Sequence, residues 1–246
     1  MDYTGVTVCF FIDGAMAIKR SYNDGCASSH ALDLVGERWA LLVVRELVLG
    51  PKRFTDLRAG LPTISPNVLT QRLDELELAA VVRRRQLPPP AGAWVYELTE
   101  WGQELGPIMM ELGRWGARSP TLPRGLPLSI DSLILSFRAM FDEDAAAGLD
   151  ARYELRMGAY RFDARIDDGQ LKIGRGNADR PDAIIESDPD TLAAIAYDGR
   201  KLDEALRAGD VTIEGNKTAV KRFLSLFTLP EPAAPSERAQ LDAANG

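Results

Sequence analysis

The side chains able to do chemistry in this chain are hydrogen-bonding and cationic rather than nucleophilic. In "TISPNVLTQRLDELE", residues 63–77, the short polar residues Ser65, Asn67, Thr70 and Gln71 recur along one side of a helix-periodic stretch. Such groups donate and accept hydrogen bonds together, which is what reading the edge of a base pair demands. Arg72 flanks them, and Arg53, Arg83, Arg84 and Arg85 lie nearby in sequence. A guanidinium presents a planar fork of donors suited to phosphate oxygens, so these arginines are the candidates for backbone contact. Between Pro51 and Gln86 basic residues outnumber acidic ones, although the formal net charge of the whole chain is −7. Phosphates respond to the local patch, because distant acidic surface is screened over about 8 Å at physiological salt.

Hydrolytic and metal chemistry find little support. The chain holds a single histidine, His30, and two cysteines, Cys9 and Cys26. A Ser-His-Asp or Cys-His site would have to use His30, and a zinc site would need both scattered cysteines as well. "GRGNAD" at 174–179 lacks the Lys-Ser/Thr ending of a phosphate-binding loop. The expectation is therefore a non-enzyme with no catalytic residue, no metal and no cofactor. The cysteines form no Cys-x-x-Cys pair, and no apolar run is long enough to span a bilayer. A cytoplasmic location without membrane attachment is the default.

The elements that must position these residues follow from periodicity. Leu69, Leu73 and Leu76 share one stripe of a helix that Ser65 caps and Pro66 begins, with Ile64 able to pack on Leu69. Before it, "ALDLVGERWALLVVRELVL" predicts one helix from Ala31 to Leu49, and "FTDLRAGL" a short one with Phe54, Leu57 and Leu61 inward. Short helix, tight turn, longer helix with a polar outer face is the order of a helix-turn-helix. "VVRRRQL" and "AWVYELT" then flank "PPPAG" as a β-hairpin, the wing, on which alternation puts Arg84 opposite Arg83 and Arg85. "TEWGQELGPIMMELGRWGA", residues 99–117, predicts a helix capped by Thr99. Its apolar stripe of Trp101, Leu105, Ile108, Leu112 and Trp115 calls for a cover, most simply a second copy in a two-fold dimer.

After "ARSPTLPRGLP" the character changes. "IDSLILSFRAMF" is an apolar-faced helix, and "ARYELRM", "YRFDARID", "GQLKIGR" and "PDAIIES" alternate as strands of an antiparallel meander. Two short helices, a fifth strand "DVTIEG" and a closing helix "NKTAVKRFLSLF" follow. The fold class is α+β, a winged helix-turn-helix followed by a five-stranded sheet with helices on one face. The expected division is an extension at 1–19, a DNA-binding and dimerisation domain at 20–118, a linker at 119–128, a second domain at 129–229 and a disordered tail at 230–246.

With these residues in view, "CASSHALDLVGERWALLVVREL", "GPKRFTDLRAGLPTISPNVLTQRLDELE" and "YELTEWG" resemble the HxlR type of winged-helix bacterial transcription regulators, over about residues 20–116. The resemblance implies a homodimer built on terminal helices, with the 65–79 helix in the major groove of a double-stranded DNA operator. Ser65, Asn67, Thr70 and Gln71 then face bases, and Arg53, Arg72, Arg83, Arg84 and Arg85 face phosphates. Relatives of this type carry glycine where this chain has Ala80, and they start near Met16, so "MDYTGVTVCFFIDGA" is additional. Cys26 stands where oxidant- or electrophile-sensing members often have a cysteine, which makes it the redox candidate, although Ala27 replaces their usual proline.

The stretch "DAIIESDPDTLAAIAYDGRKLDEALRAGDVTIEGNKTAVKRFLSLF" is similar to the sterol carrier protein type 2 fold, over about residues 126–229. That similarity implies a hydrophobic small-molecule effector. Phe137, Phe141, Leu192, Ile195, Leu202, Leu206, Phe223 and Phe227 are its candidate contacts; the alternative makes them closed core. A carrier of lipid-like molecules, in which the winged helix only dimerises, is the competing function.

Overall fold

Glycine, proline and capping residues divide the chain where the helical periodicity alone does not. In the computed structural model, which describes residues 8–12, 15–19 and 21–234, the chain forms two compact units, Met1–Gly106 and Pro107–Gly246. That division precedes the Pro- and Ser-rich stretch expected as the linker. The first unit opens with a hairpin of β1 (Val8–Ile12) and β2 (Ala15–Lys19), within the additional N-terminal segment. The rest of the expected extension, residues 1–7, 13 and 14, lies outside the described residues, as does most of the expected tail.

The single helix expected over 31–49 is two helices, α1 (Ala27–Val35) and α2 (Ala40–Leu47). Gly36 caps the first, its N–H donating to the carbonyl of Leu32 at 2.8 Å. Trp39 then adopts φ 80°, a left-handed conformation that ends any continuous helix before α2 begins. The apolar periodicity runs across this break, which is why pattern alone missed it. α3 (Phe54–Gly60) and α4 (Pro66–Leu78) complete the helix-turn-helix. Ser65 accepts from the N–H of Val68 at 3.3 Å, Pro66 occupies the first turn, and Leu69, Leu73 and Leu76 are buried as the stripe requires.

The hairpin pairs β3 (Val82–Gln86) with β4 (Trp94–Leu98), from Val82 opposite Leu98 to Gln86 opposite Trp94. Lys52 adds a bridge to the far side of β4: its N–H donates to the Tyr96 carbonyl at 2.9 Å, and its carbonyl accepts from Tyr96 at 2.8 Å. Thr99 caps the next helix by accepting from Gly102 at 2.9 Å. The helix is interrupted at Glu104 into α5 (Glu100–Gln103) and α6 (Leu105–Ala117).

The second unit contains α6 from Pro107 onward, α7 (Ile130–Met140), β5 (Ala151–Met157), β6 (Tyr160–Asp167), β7 (Gln170–Arg175), β8 (Ala183–Glu186), α8 (Pro189–Tyr197), α9 (Leu202–Ala208), β9 (Thr212–Gly215) and α10 (Lys217–Leu224). Its five strands run in the order β7-β6-β5-β8-β9. Only the first three form the expected meander. β8 crosses over to pair with β5 in parallel, and the link is pinned where Asp182 exchanges bonds with the backbone of Arg152. Alternation sorts the sheet into two faces. Tyr153, Leu155, Phe162, Ala164 and Ile166 turn inward, and Tyr153 packs on Phe223 of α10 with ring centroids 4.4 Å apart. The other face is ionic, with Arg152 on Asp163 and Arg156 on Glu154. No described helix is long and apolar enough to cross a membrane.

Candidate nucleic-acid interface

A recognition helix must hold its inner face rigidly so that the outer face is presented in one register. On α4 the leucine stripe supplies the anchor, and Asn67, Thr70 and Gln71 are all exposed on the opposite side. Thr70 donates its hydroxyl back to the Pro66 carbonyl at 3.1 Å, and Gln71 donates its amide to Glu75 at 3.0 Å. Ser65 is exposed as well, with its oxygen engaged in the cap. Asn67, Thr70 and Gln71 therefore share the first two turns of the helix and one solvent-facing side, with Ser65 at its cap.

Arg72 is not among them. It is 7% exposed, paired with Glu75 on its own helix and 3.9 Å from Glu37 in the turn before α2. Its place next to the leucine stripe turns it inward, where the two carboxylates offset its charge. The expectation that Arg72 meets phosphate is thus corrected: the residue is buried against its own helix and paired with Glu75.

The other arginines remain at the surface in three different settings. Arg53 is exposed at the start of α3, where its backbone N–H donates to Asp56 at 3.1 Å. Arg83 and Arg85 project from one side of the wing and share Glu97, each nitrogen 2.7 Å from one of the carboxylate oxygens. Burial pushes the Glu97 carboxyl up, but the hydrogen bonds from Arg85 and Arg83 outweigh it and hold the group below the usual range. Arg84 lies on the opposite side, its guanidinium carbon 4.7 Å from the Trp94 ring centroid and 5.9 Å from that of Tyr96. Those rings hold the cation without neutralising it.

Two features of this arrangement escaped the sequence reading. Trp94, half exposed beside Arg84, would have been signalled by pairing the strands and noting which aromatic falls on the arginine's side. Glu46, fully buried, receives Lys52 at 2.6 Å and Arg45 at 3.0 Å. Because Lys52 also pairs with Tyr96, that carboxylate ties α2 to the wing. An acid within an apolar helical stretch was the available signal.

Cys26 is exposed at the N-cap of α1. The backbone N–H groups of Ser28 and Ser29, with the Ser28 hydroxyl, favour its thiolate and lower its pKa. Cys9 has no described side chain. Among the described residues no cluster of three or more His, Cys, Asp and Glu is arranged to hold a metal.

In the second unit the expected pocket lining is mostly core. Phe137 stacks on Phe227 with centroids 4.1 Å apart, Phe223 meets Phe227 edge-on at 5.0 Å, and all three are buried. Leu192 and Leu202 are buried as well, and Ile195 and Leu206 are half-buried. Rings buried and stacked on one another in this way are packed as closed core, the alternative named for them. Phe141 borders a groove of about 650 Å³ that Arg114 and Trp115 of α6 also line.

Comparison with known proteins places the two halves separately. The family model described as HxlR-like helix-turn-helix matches residues 34–121, and that described as alkyl sulfatase C-terminal matches residues 127–233. The chain is 41% identical over 85 residues to YvaP of Bacillus subtilis, named as an uncharacterized HTH-type transcriptional regulator, covering 35% of this chain and 79% of that one. It is 39% identical over 85 residues to YodB, an HTH-type transcriptional regulator of the same organism, covering 35% and 76%. The solved reduced form of YodB aligns at 34% identity with a TM-score of 0.36, covering 41% of this chain and 99% of that one.

Proposed function

We propose, on the premise that this chain belongs to the HxlR-like helix-turn-helix family of transcription regulators, that it reads a double-stranded DNA operator as a homodimer and answers to a small-molecule effector through its second unit. The observation that carries this reading is α4: an anchored helix with Asn67, Thr70 and Gln71 exposed together, followed by a wing bearing surface arginines. Asn67 and Gln71 are amides, which pair in bidentate fashion with adenine in the major groove, and Ser65 and Thr70 suit either base type. Arg53, Arg83, Arg84 and Arg85 supply phosphate contacts that set register without reading sequence.

Dimerisation uses α6. Ile108, Leu112 and Trp115 recur on one stripe of that helix and are 56%, 43% and 75% exposed, a face whose burial against a second copy removes large apolar side chains from water. Two reading helices related by a two-fold axis would contact half-sites about 34 Å apart, one turn of DNA. Cys26, with its favoured thiolate, is the residue through which an oxidant or electrophile acts on the regulator. The second unit is a sterol-carrier-like binding domain in this reading, supported by its five-stranded sheet with helices packed on the apolar face.

The test is gel-shift binding of the purified chain to its own upstream intergenic DNA and to random DNA at two salt concentrations. Preferential binding that weakens steeply with salt supports the regulator. Absence of binding at low salt favours a carrier of lipid-like molecules in which the winged helix serves only to pair subunits.

A further inference from the structure

We propose that the open edge of β7 carries a binding site for a small amphiphilic oxyanion: a phosphate ester, sulfate ester or carboxylate with a short apolar body. β7 is an outermost strand of the sheet, and a cavity of about 490 Å³ lies along it, the size of an ordinary small-molecule pocket. Its border holds the four cations Arg138, Arg165, Lys172 and Arg175 and one carboxylate, Asp163. That carboxylate is already committed, since its two oxygens take Arg152 at 2.8 and 2.6 Å.

The cations are not neutralised in proportion. Arg165 and Lys172 share Asp167 at 4.0 and 3.8 Å, long and exposed pairs of the kind that contribute little. Arg138 is half-buried, and its Nε and Nη2 both donate to the carbonyl of Ile173. Among the described residues no carboxylate forms an ion pair with it, and burial pulls its guanidinium below the ordinary range. A charge taken partly out of water with only a carbonyl for company is stabilised by any anion that enters beside it. Arg175 is fixed in advance, bonded to buried Asp131 and lying 4.9 Å from the Tyr160 ring centroid.

Along the same strand half-buried Leu171 supplies an apolar border, with the buried Ile173 behind it, which sets the ligand apart from a bare inorganic ion. Gly174 leaves the space open: a Cβ built there meets nothing within 4 Å. A charged edge also discourages strand-to-strand aggregation, for which exposed Lys172 would suffice. That role gives no reason for drawing Arg138 inward without a carboxylate. As an effector site the groove rests on the regulator function proposed above; as a binding site it does not.

The test is isothermal titration of the full chain with octyl phosphate, octyl sulfate and octanoate below their micellar concentrations, beside inorganic phosphate and the uncharged octyl glucoside. At least one amphiphilic anion binds, and the two comparators bind more weakly by roughly tenfold or more. Gly174→Val fills the open space, and the double variant Arg165→Gln, Lys172→Gln removes two exposed cations. Each lowers the anion's affinity by roughly tenfold and leaves the thermal transition of the free chain in place. Failure of all three anions to bind, equal binding of either comparator, or unchanged affinity in both variants overturns the site. So does loss of DNA binding by the double variant without ligand, which makes the groove a contact for the nucleic-acid backbone. If the anion binds as stated but operator affinity does not respond to it, the effector role falls and the site stands. If the anion binds and no DNA does, it is the regulator function that falls.

Discussion

A Cβ added to Gly60 would lie 2.2 Å from Oε2 of Glu46, so the last residue of α3 is a glycine because the buried acid of α2 occupies the place of its side chain. Lys52 and Arg45 hold that carboxylate, and Lys52 carries the connection on to the wing. Gly60→Ala forces the carboxylate off its partners or the helix away from it. The expected outcome is a loss of about 1–3 kcal/mol of stability, as for other overpacked sites. It would be read as a lower urea midpoint with an unchanged slope. An unaltered midpoint would mean that Glu46 moves aside freely and ties nothing together.

Ala80 offers the opposite case, a strained position open to relief. The N–H of Val81 donates to the Leu76 carbonyl at 2.9 Å and that of Ala80 to Glu77 at 3.0 Å, the paired bonds of a helix ending that turns through a left-handed residue. Ala80 is that residue, with φ 56°. Its Cβ opposes this conformation and glycine's absence of one does not. Ala80→Gly is expected to raise stability by about 1 kcal/mol and to leave the wing geometry unchanged, measured by thermal unfolding and by retained DNA affinity. A neutral or negative change in melting temperature would show that the backbone accommodates alanine without strain.

What the sequence made legible, and what it did not, follows from the range of the forces involved. Local rules located α4 and its cap, because capping depends on neighbours within a turn, while Ala80 stood out only through the family resemblance. The wing hairpin followed from the strand-like flanks and the Pro-Gly tip, and its register from the structure alone. Arg72 was misjudged because its burial depends on how the leucine stripe seats the helix against the rest of the unit. The parallel pairing of β8 with β5 was missed for a similar reason: short alternating strands specify a face but not a neighbour. Phe137, Phe223 and Phe227 look the same in sequence whether they line a cavity or fill it, and only their stacking distances decide.

The thiol of Cys26 should titrate below a free cysteine. Its thiolate is favoured by the backbone N–H groups of Ser28 and Ser29 and the Ser28 hydroxyl, all of which disappear on unfolding. Only the thiolate is nucleophilic, so alkylation of the folded chain is expected to accelerate at a lower pH than alkylation of the urea-unfolded chain. Iodoacetamide labelling across a pH series, with the Cys26 peptide quantified by mass spectrometry, gives both midpoints. Coincident midpoints would remove the structural basis for a reactive thiol.

Glu97 sets how much positive charge the wing can offer to DNA. With its pKa lowered in the fold it is ionised at neutral pH, and it offsets one of the two arginines it binds. Because the folded pKa is depressed, the stabilisation from this cluster is present above the unfolded pKa and fades as pH falls through the lower, folded one. At neutral pH Glu97→Gln therefore weakens the cross-strand pairing of β3 with β4 while releasing Arg83 and Arg85 toward solvent, where they are 64% and 41% exposed. If those arginines meet phosphates, random-sequence DNA should bind more tightly, and the slope of log affinity against log salt should steepen by about one. Arg84→Gln should make the slope shallower by about one, because the rings of Trp94 and Tyr96 position that cation without cancelling it. A slope that Glu97→Gln leaves unchanged would assign Arg83 and Arg85 to the internal support of the hairpin and leave Arg84 as the wing's contact with the backbone.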